Sequence, residues 1–217
     1  MTILAVLTIF SAAITVVLYA VPLYDLAMEK LEIAESTGLS PEVIKSNYRI
    51  LIRYNLLWGP GKLAFTDFAS SPSGLAHFSD VKNLFRHIQI LALFGIPACF
   101  LGYLITRKIR VYSWMRNTCI LASGIILGIV SGLLLDAEGT FIFMHRILFR
   151  NVYWQFNPAK DPIIKILPAE FFLYAAIEVL ILIAAALLIL LIRYGLLIRK
   201  ERVPVKRKKT EHKKQKR

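Results

Sequence analysis

The side chains able to carry chemistry are few. The chain has 217 residues with four histidines and two cysteines. His77 lies among Ser70, Ser71, Ser73 and Ser79 and is followed by Asp80, whereas His145 is followed by Arg146, Arg150 and Trp154. A neutral imidazole, with an ordinary pKa of about 6.5, suits taking and returning a proton near neutral pH. A serine beside such a base could form an acyl intermediate, yet no G-x-S-x-G elbow is present. His77, Asp80 and His145 could also serve a metal-dependent membrane hydrolase as zinc ligands. Neither H-x-x-x-H nor H-E-x-x-H spacing occurs, however, and no C-x-x-C pair, so no metal is expected. His87 reads as an interfacial or packing residue and His212 as a solvated member of a basic tail. Glu178 is a carboxylate inside an apolar stretch, either functional or paired with a tyrosine or lysine.

The elements that must position these groups follow from hydropathy. Hydrophobic residues make up 57% of the chain and charged ones 19%, with a mean hydropathy of +0.59. Four apolar stretches, 3–23, 88–106, 118–135 and 171–192, contain no Lys, Arg or Asp. A hydrocarbon core about 30 Å thick takes roughly 20 helical residues, so each is long enough or nearly so. The fold class is therefore an all-α integral membrane protein with four transmembrane helices. Residues 1–205 read as a single four-span membrane domain and 206–217 as a basic tail. The first stretch lacks the basic flank of a signal peptide and is read as a retained span. Gly124, Gly128 and Gly132 give the third a small-residue face, common in packed membrane helices.

Charge sets the orientation. The loop 107–117 holds four basic residues and no acid, and the chain from Arg193 onward holds twelve against two. Residues 24–87 carry seven of each sign and 136–170 four of each. The positive-inside rule places both termini and the short middle loop in the cytoplasm, and loops 24–87 and 136–170 outside. Beside a membrane span the basic tail attracts anionic lipid. Nucleic acid is not an expected partner, because no aromatic residues interleave the charges.

The outer loops contain interfacial helices. Ser40-Pro41-Glu42 reads as N-cap, N1 proline and first-turn acid of a helix running to about Leu56, stopped by Trp58-Gly59-Pro60-Gly61. A short extended piece is expected over Leu63 to Phe68, then a turn at Ser70 to Gly74, with helix resuming near Ser79 or Asp80 and continuing into the second span. In the second loop, Thr140 reads as the N-cap of an apolar helix over 141–150 lying in the interface. Asn157-Pro158 and Asp161-Pro162 read as turns before the last span. This reading holds His77 and His145 at a similar membrane depth.

Two blocks carry a family resemblance. The run Ser71-Pro72-Ser73-Gly74-Leu75-Ala76-His77-Phe78-Ser79-Asp80-Val81-Lys82-Asn83-Leu84-Phe85 is the more specific. The second extends from Met144-His145 through Trp154-Gln155-Phe156-Asn157-Pro158 and Asp161-Pro162 to Leu167-Pro168-Ala169-Glu170-Phe171-Phe172. Together with span number and loop order, they resemble the lipoprotein intramolecular transacylase (Lit) family of bacterial four-span membrane proteins. The resemblance implies transfer of the sn-2 acyl chain of a diacylglyceryl-modified lipoprotein onto the α-amino group of its N-terminal cysteine, giving a lyso-form lipoprotein. Ester-to-amide transfer runs downhill, so no cofactor is expected. The alternatives are a non-enzymatic four-span protein whose outer loops bind a partner, and the metal-dependent hydrolase.

The same resemblance points to His77 and His145 as the functional pair, one a base for the amine and the other a donor to the oxyanion or leaving alcohol. Asp80 reads either as the carboxylate orienting His77 or as a helix cap. Arg146 and Arg150 could contact ester or phosphate oxygens, or simply snorkel. Trp154 and Glu178 complete the set of candidate substrate-binding residues.

Overall fold

The computed structural model describes residues 1–214, with side chains described as far as Glu201. The expected basic tail, His212 included, lies beyond those side chains. Eight α-helices and one short 3-10 helix account for the regular structure, with no strand among the described residues.

α1 (Thr2–Tyr19) is shorter than the expected 3–23 span. Pro22 is the reason: it has no N–H to give to the turn before it, and its ring obstructs a continuing helix. The chain breaks at Ala20 and restarts as α2 (Val21–Lys30) with proline in its first turn. The short α3 (Ile33–Thr37) ends at Gly38, whose φ of 68° lies in the left-handed region glycine adopts without steric cost. α4 (Pro41–Asn55) begins as expected, with Ser40 Oγ accepting the Val43 N–H at 3.4 Å.

Leu63 to Phe68 is irregular rather than extended. It is held from the side instead of by a strand partner: the Asp67 N–H donates to Oδ1 of the buried Asn47 on α4 at 3.4 Å, and Asn47 Nδ2 donates to Asp67 Oδ2 at 2.6 Å. The next helix, α5 (Pro72–Lys108), starts well before the expected Ser79 or Asp80. Ser71 caps it by accepting the Gly74 N–H at 3.0 Å, and Pro72 occupies the first helical position. Its first turns and the second span form one helix.

α6 (Ser113–Leu135) takes in five residues before the expected start at 118, because Trp114 and Met115 are buried and prolong the packed surface. α7 (Ala137–Phe149) opens at Asp136 rather than Thr140, the carboxylate accepting the Gly139 N–H at 2.8 Å. After the 3-10 turn Pro162–Ile166, α8 begins at Ala169 and runs to Lys214.

Four of these helices are long and apolar enough to cross a membrane. α1 lies at their centre, packed against α5, α6 and α8, while α6 also packs on α8. Val6 and Ala13 of α1 meet Ala122 of α6 and Ile183 and Leu187 of α8. Contact with α5 is closer: a Cβ on Gly95 would lie 2.4 Å from Thr8 Oγ1, so only glycine permits this approach. Outward-facing positions are apolar too, including Phe94, Leu127 and Ile189, as expected when the surroundings are lipid rather than water.

A second core caps one end of the bundle. Tyr24 stacks on Tyr48 at 3.6 Å between ring centroids, and the Phe171 ring meets both edge-on. The Tyr24 hydroxyl donates to the Ile166 carbonyl at 2.7 Å, joining residues 20–60 to the segment that enters α8. Gln89 joins this cap to the spans. It accepts from Tyr19 Oη and the Leu57 N–H and donates to the carbonyls of Asn55 and Phe85.

Candidate active site

His77 sits in the second turn of α5, ahead of the apolar stretch 88–106, and is only 6% exposed. His145 comes from α7. The two imidazole centroids are 6.1 Å apart. Phe149 lies 4.9 Å and Phe156 5.4 Å from the His77 ring, while Phe141 lies 3.9 Å and Trp154 5.1 Å from His145. Two polar rings thus face each other inside an aromatic shell.

One hydrogen bond decides the tautomer of His145. Its Nδ1 is 2.8 Å from the Phe141 carbonyl, and a carbonyl only accepts, so Nδ1 carries the proton and Nε2 keeps its lone pair. Nδ1 of His77 is buried with no hydrogen-bond partner. Burial pulls the His77 pKa down to about 4, the neighbouring His145 pulls the same way, and Asp80 partly opposes them. Burial also lowers the pKa of His145, against the hydrogen bond to Phe141. Both rings are therefore neutral near pH 7, able to accept a proton and acidic once they hold one.

Asp80 has a different role from either expected one. Since α5 begins at Pro72, Asp80 lies more than two turns inside and caps nothing. Its carboxylate receives the Asn151 Nδ2–H at 2.9 Å and makes no hydrogen bond to His77, which it reaches only as a nearby charge. Asn151 in turn accepts the Tyr153 N–H at Oδ1 and the Trp154 Nε1–H at its carbonyl, so Asp80 holds the segment that places Trp154 beside His145.

Asp161 belongs to the same construction, although its sequence signal was only a turn before proline. It is 2% exposed, and its oxygens accept the Ser71 N–H at 2.7 Å and the Ser71 hydroxyl at 2.8 Å. Ser71 is thereby engaged as a cap. Among the other expected residues, Arg146 and Arg150 are exposed, and neither guanidinium has a hydrogen-bond or ion-pair partner among the described residues. Glu178 is half-buried in α8 and likewise lacks the tyrosine or lysine partner considered for it. His87 is exposed and donates to the Asn83 carbonyl at 2.6 Å. No group of three or more His, Cys, Asp or Glu among the described residues is placed to hold a metal.

Four apolar spanning helices beneath a cap that brings together a pair of neutral histidines, one buried and one half-buried, define a multi-pass, all-α membrane protein with a site suited to proton transfer. The family model for lipoprotein intramolecular transacylase Lit matches residues 1–172. The chain belongs to the lipoprotein intramolecular transacylase (Lit) family and is a membrane acyltransferase. It is similar to the membrane-integral Lit structure from Bacillus cereus, at 30% identity and a TM-score of 0.88, over 93% of this chain and 94% of that one. It also resembles two variants of that enzyme at 30% identity. For a histidine-to-arginine mutant the TM-score is 0.81 over 92% and 89% of the two chains. For a histidine-to-alanine mutant it is 0.82 over 93% and 92%. No curated protein sequence matches. Family membership sets aside the non-enzymatic alternative and the metal-dependent hydrolase.

Proposed function

We propose that this chain moves the sn-2 acyl group of a diacylglyceryl-modified lipoprotein onto the α-amino group of the same lipoprotein's N-terminal cysteine, with His77 and His145 as the reacting pair. The observation that carries this reading is the 6.1 Å approach of the two neutral imidazoles, from separate helices, inside an aromatic shell.

In the reaction the amine nitrogen attacks the ester carbonyl carbon, and the adduct's nitrogen gives a proton to Nε2 of His145, the nitrogen left free by the Phe141 hydrogen bond. His77 donates to the oxygen on which charge develops. The C–O bond to the glyceryl oxygen then breaks, and the proton on His145 passes to that oxygen, leaving a hydroxyl and an amide. A lowered pKa favours this return step, since the imidazolium is then a stronger acid. An α-amino group with a pKa of about 7.7 to 8.0 is already partly neutral at pH 7, so a weak base suffices. Phe149 and Phe156 flank His77 and limit water, the nucleophile that would hydrolyse the ester instead. Amine and ester share one lipid anchor, which supplies the proximity.

Charge distribution supports cytoplasmic termini and an extracytoplasmic site in the cell membrane. α7 has no buried residue and exposes Phe143, Met144, Ile147 and Leu148, with Arg146 and Arg150 alongside. That pattern suits a helix lying in the interface, its arginines among lipid phosphates.

Mass spectrometry of a model lipoprotein's N-terminal peptide tests the reading, in cells lacking N-acylating enzymes and supplied with wild type, His77→Ala or His145→Ala. The expected product is an N-acyl, monoacylglyceryl peptide of unchanged total acyl mass, absent with both variants. An unmodified diacylglyceryl peptide with well-expressed wild type overturns it.

A further inference from the structure

Between Asn151 and Asp161 the chain runs along one face of the first turns of α5, meeting it at Asp80, His77, Gly74 and Ser71, three residues apart. Asn151 bonds Asp80, Phe156 packs against His77, and Asp161 bonds Ser71. Gly74 lies beneath this strap. A Cβ there would meet Asp161 Oδ1 at 2.2 Å and Phe156 Cε1 at 3.2 Å, so the loop rests on the helix backbone itself.

We propose that Asp161 is a positioning residue for acyl transfer, fixing the first turn of α5 against the loop that carries Phe156 and so setting the separation of the two histidines. The proposal rests on His77 and His145 being the reacting pair. A buried carboxylate is costly unless donors surround it, and Asp161 takes its donors from the very start of the helix that carries His77. Its own backbone is fixed as well: the Asp161 N–H donates to the Asn157 carbonyl at 2.8 Å and its carbonyl accepts the Ile164 N–H at 3.2 Å. The carboxylate therefore has little freedom to follow Ser71 if α5 shifts. One turn of helix separates Gly74 from His77, and a turn is stiff, so displacement at Ser71 passes to the imidazole. Misplacement by about 1 Å can cost roughly a hundredfold in rate.

Purified full-length enzyme assayed with a synthetic diacylglyceryl cysteinyl peptide tests this. Asp161→Ala is expected to lower kcat by about ten- to a hundredfold with KM within about twofold. Asp161→Asn, which retains one acceptor oxygen, is expected to fall between it and wild type. Ser71→Ala in the Asp161→Ala background is expected to add little to the loss, because both changes break the same tie. Unchanged kcat in the Asp161 variants overturns the proposal, as does a loss that only tracks the folded fraction. If Asp161→Ala is not recovered folded, wild-type kcat in both Asp161→Asn and Ser71→Ala overturns it. His77→Ala is assayed in parallel. Full activity in that variant overturns the histidine reading itself, whereas active Asp161 variants beside an inactive His77→Ala overturn only the role of Asp161.

Discussion

The imidazoles of His77 and His145 lie 6.1 Å apart, the first on a spanning helix and the second on a short helix with no buried residue. Among the described residues neither ring has a cation or carboxylate hydrogen-bonded to it, and their shared surroundings are aromatic. The proposed acyl transfer depends on the two rings acting together.

Removing either histidine should therefore cost nearly as much as removing both. Alanine at His77 or His145 is expected to lower kcat by about 10²- to 10⁴-fold, and the double variant to lose little more. Single-turnover rates on a diacylglyceryl peptide measure this, and losses that multiply would show two independent contributions.

Asp80 gives a sharper contrast. Its carboxylate accepts from Asn151 and not from His77, so Asp80→Asn, which still offers an acceptor oxygen, should retain activity within about tenfold. A carboxylate that orients a catalytic base would instead show a loss of about 10⁴-fold on the same change. Asp80→Ala and Asn151→Ala should resemble each other, since each breaks the same hydrogen bond.

The pH dependence follows from burial. Burial holds the pKa of His145, the proton acceptor, below the ordinary histidine value and keeps His77 neutral down to about pH 4, so kcat/KM should not fall through an ordinary histidine pKa of about 6.5 as the medium is acidified. Loss of the base form should appear at lower pH, while the α-amino group of the substrate sets the rise toward alkaline pH. Stability carries the matching sign. Between pH 6.5 and about 4 the unfolded chain binds a proton at His77 that the folded one excludes. The stability is present above the unfolded pKa and is lost as pH falls through this window. Rate profiles and thermal unfolding across pH 4 to 7 check both statements.

Gly74 should tolerate no side chain. A Cβ would stand 2.2 Å from Asp161 Oδ1, and the far side of that carboxylate is held by Ser71. Gly74→Ala is expected to lower both activity and unfolding temperature, whereas alanine at Gly61, where no atom lies within 4 Å of the added Cβ, should do neither.

At the base of the cap, Gln89→Leu removes two acceptor and two donor contacts, leaving the half-buried Leu57 N–H and the buried Asn55 carbonyl without their partner. Each unsatisfied buried group costs about 1 to 3 kcal/mol. The variant should unfold at clearly lower temperature while its kcat per folded molecule stays near wild type.

Sequence alone was enough for the four spans, because a bilayer forces apolar residues into contiguous runs that can be counted. It was enough for α4 as well, since Ser40-Pro41-Glu42 is a local capping signal that acts within one turn. The same Ser-Pro signal at Ser71-Pro72 is masked by the loop-like composition of Ser70 to Gly74, and with it the depth of His77 and Asp80 within α5. The two histidine-bearing blocks also carried the family. Which groups hold those histidines together was decided by the tertiary structure. Asn151 meets Asp80 across 71 residues and Ser71 meets Asp161 across 90. Hydrogen bonds at that separation leave no periodic trace in the sequence: any donor could meet any acceptor until the packing of the Tyr24, Tyr48 and Phe171 rings brings the two loops together.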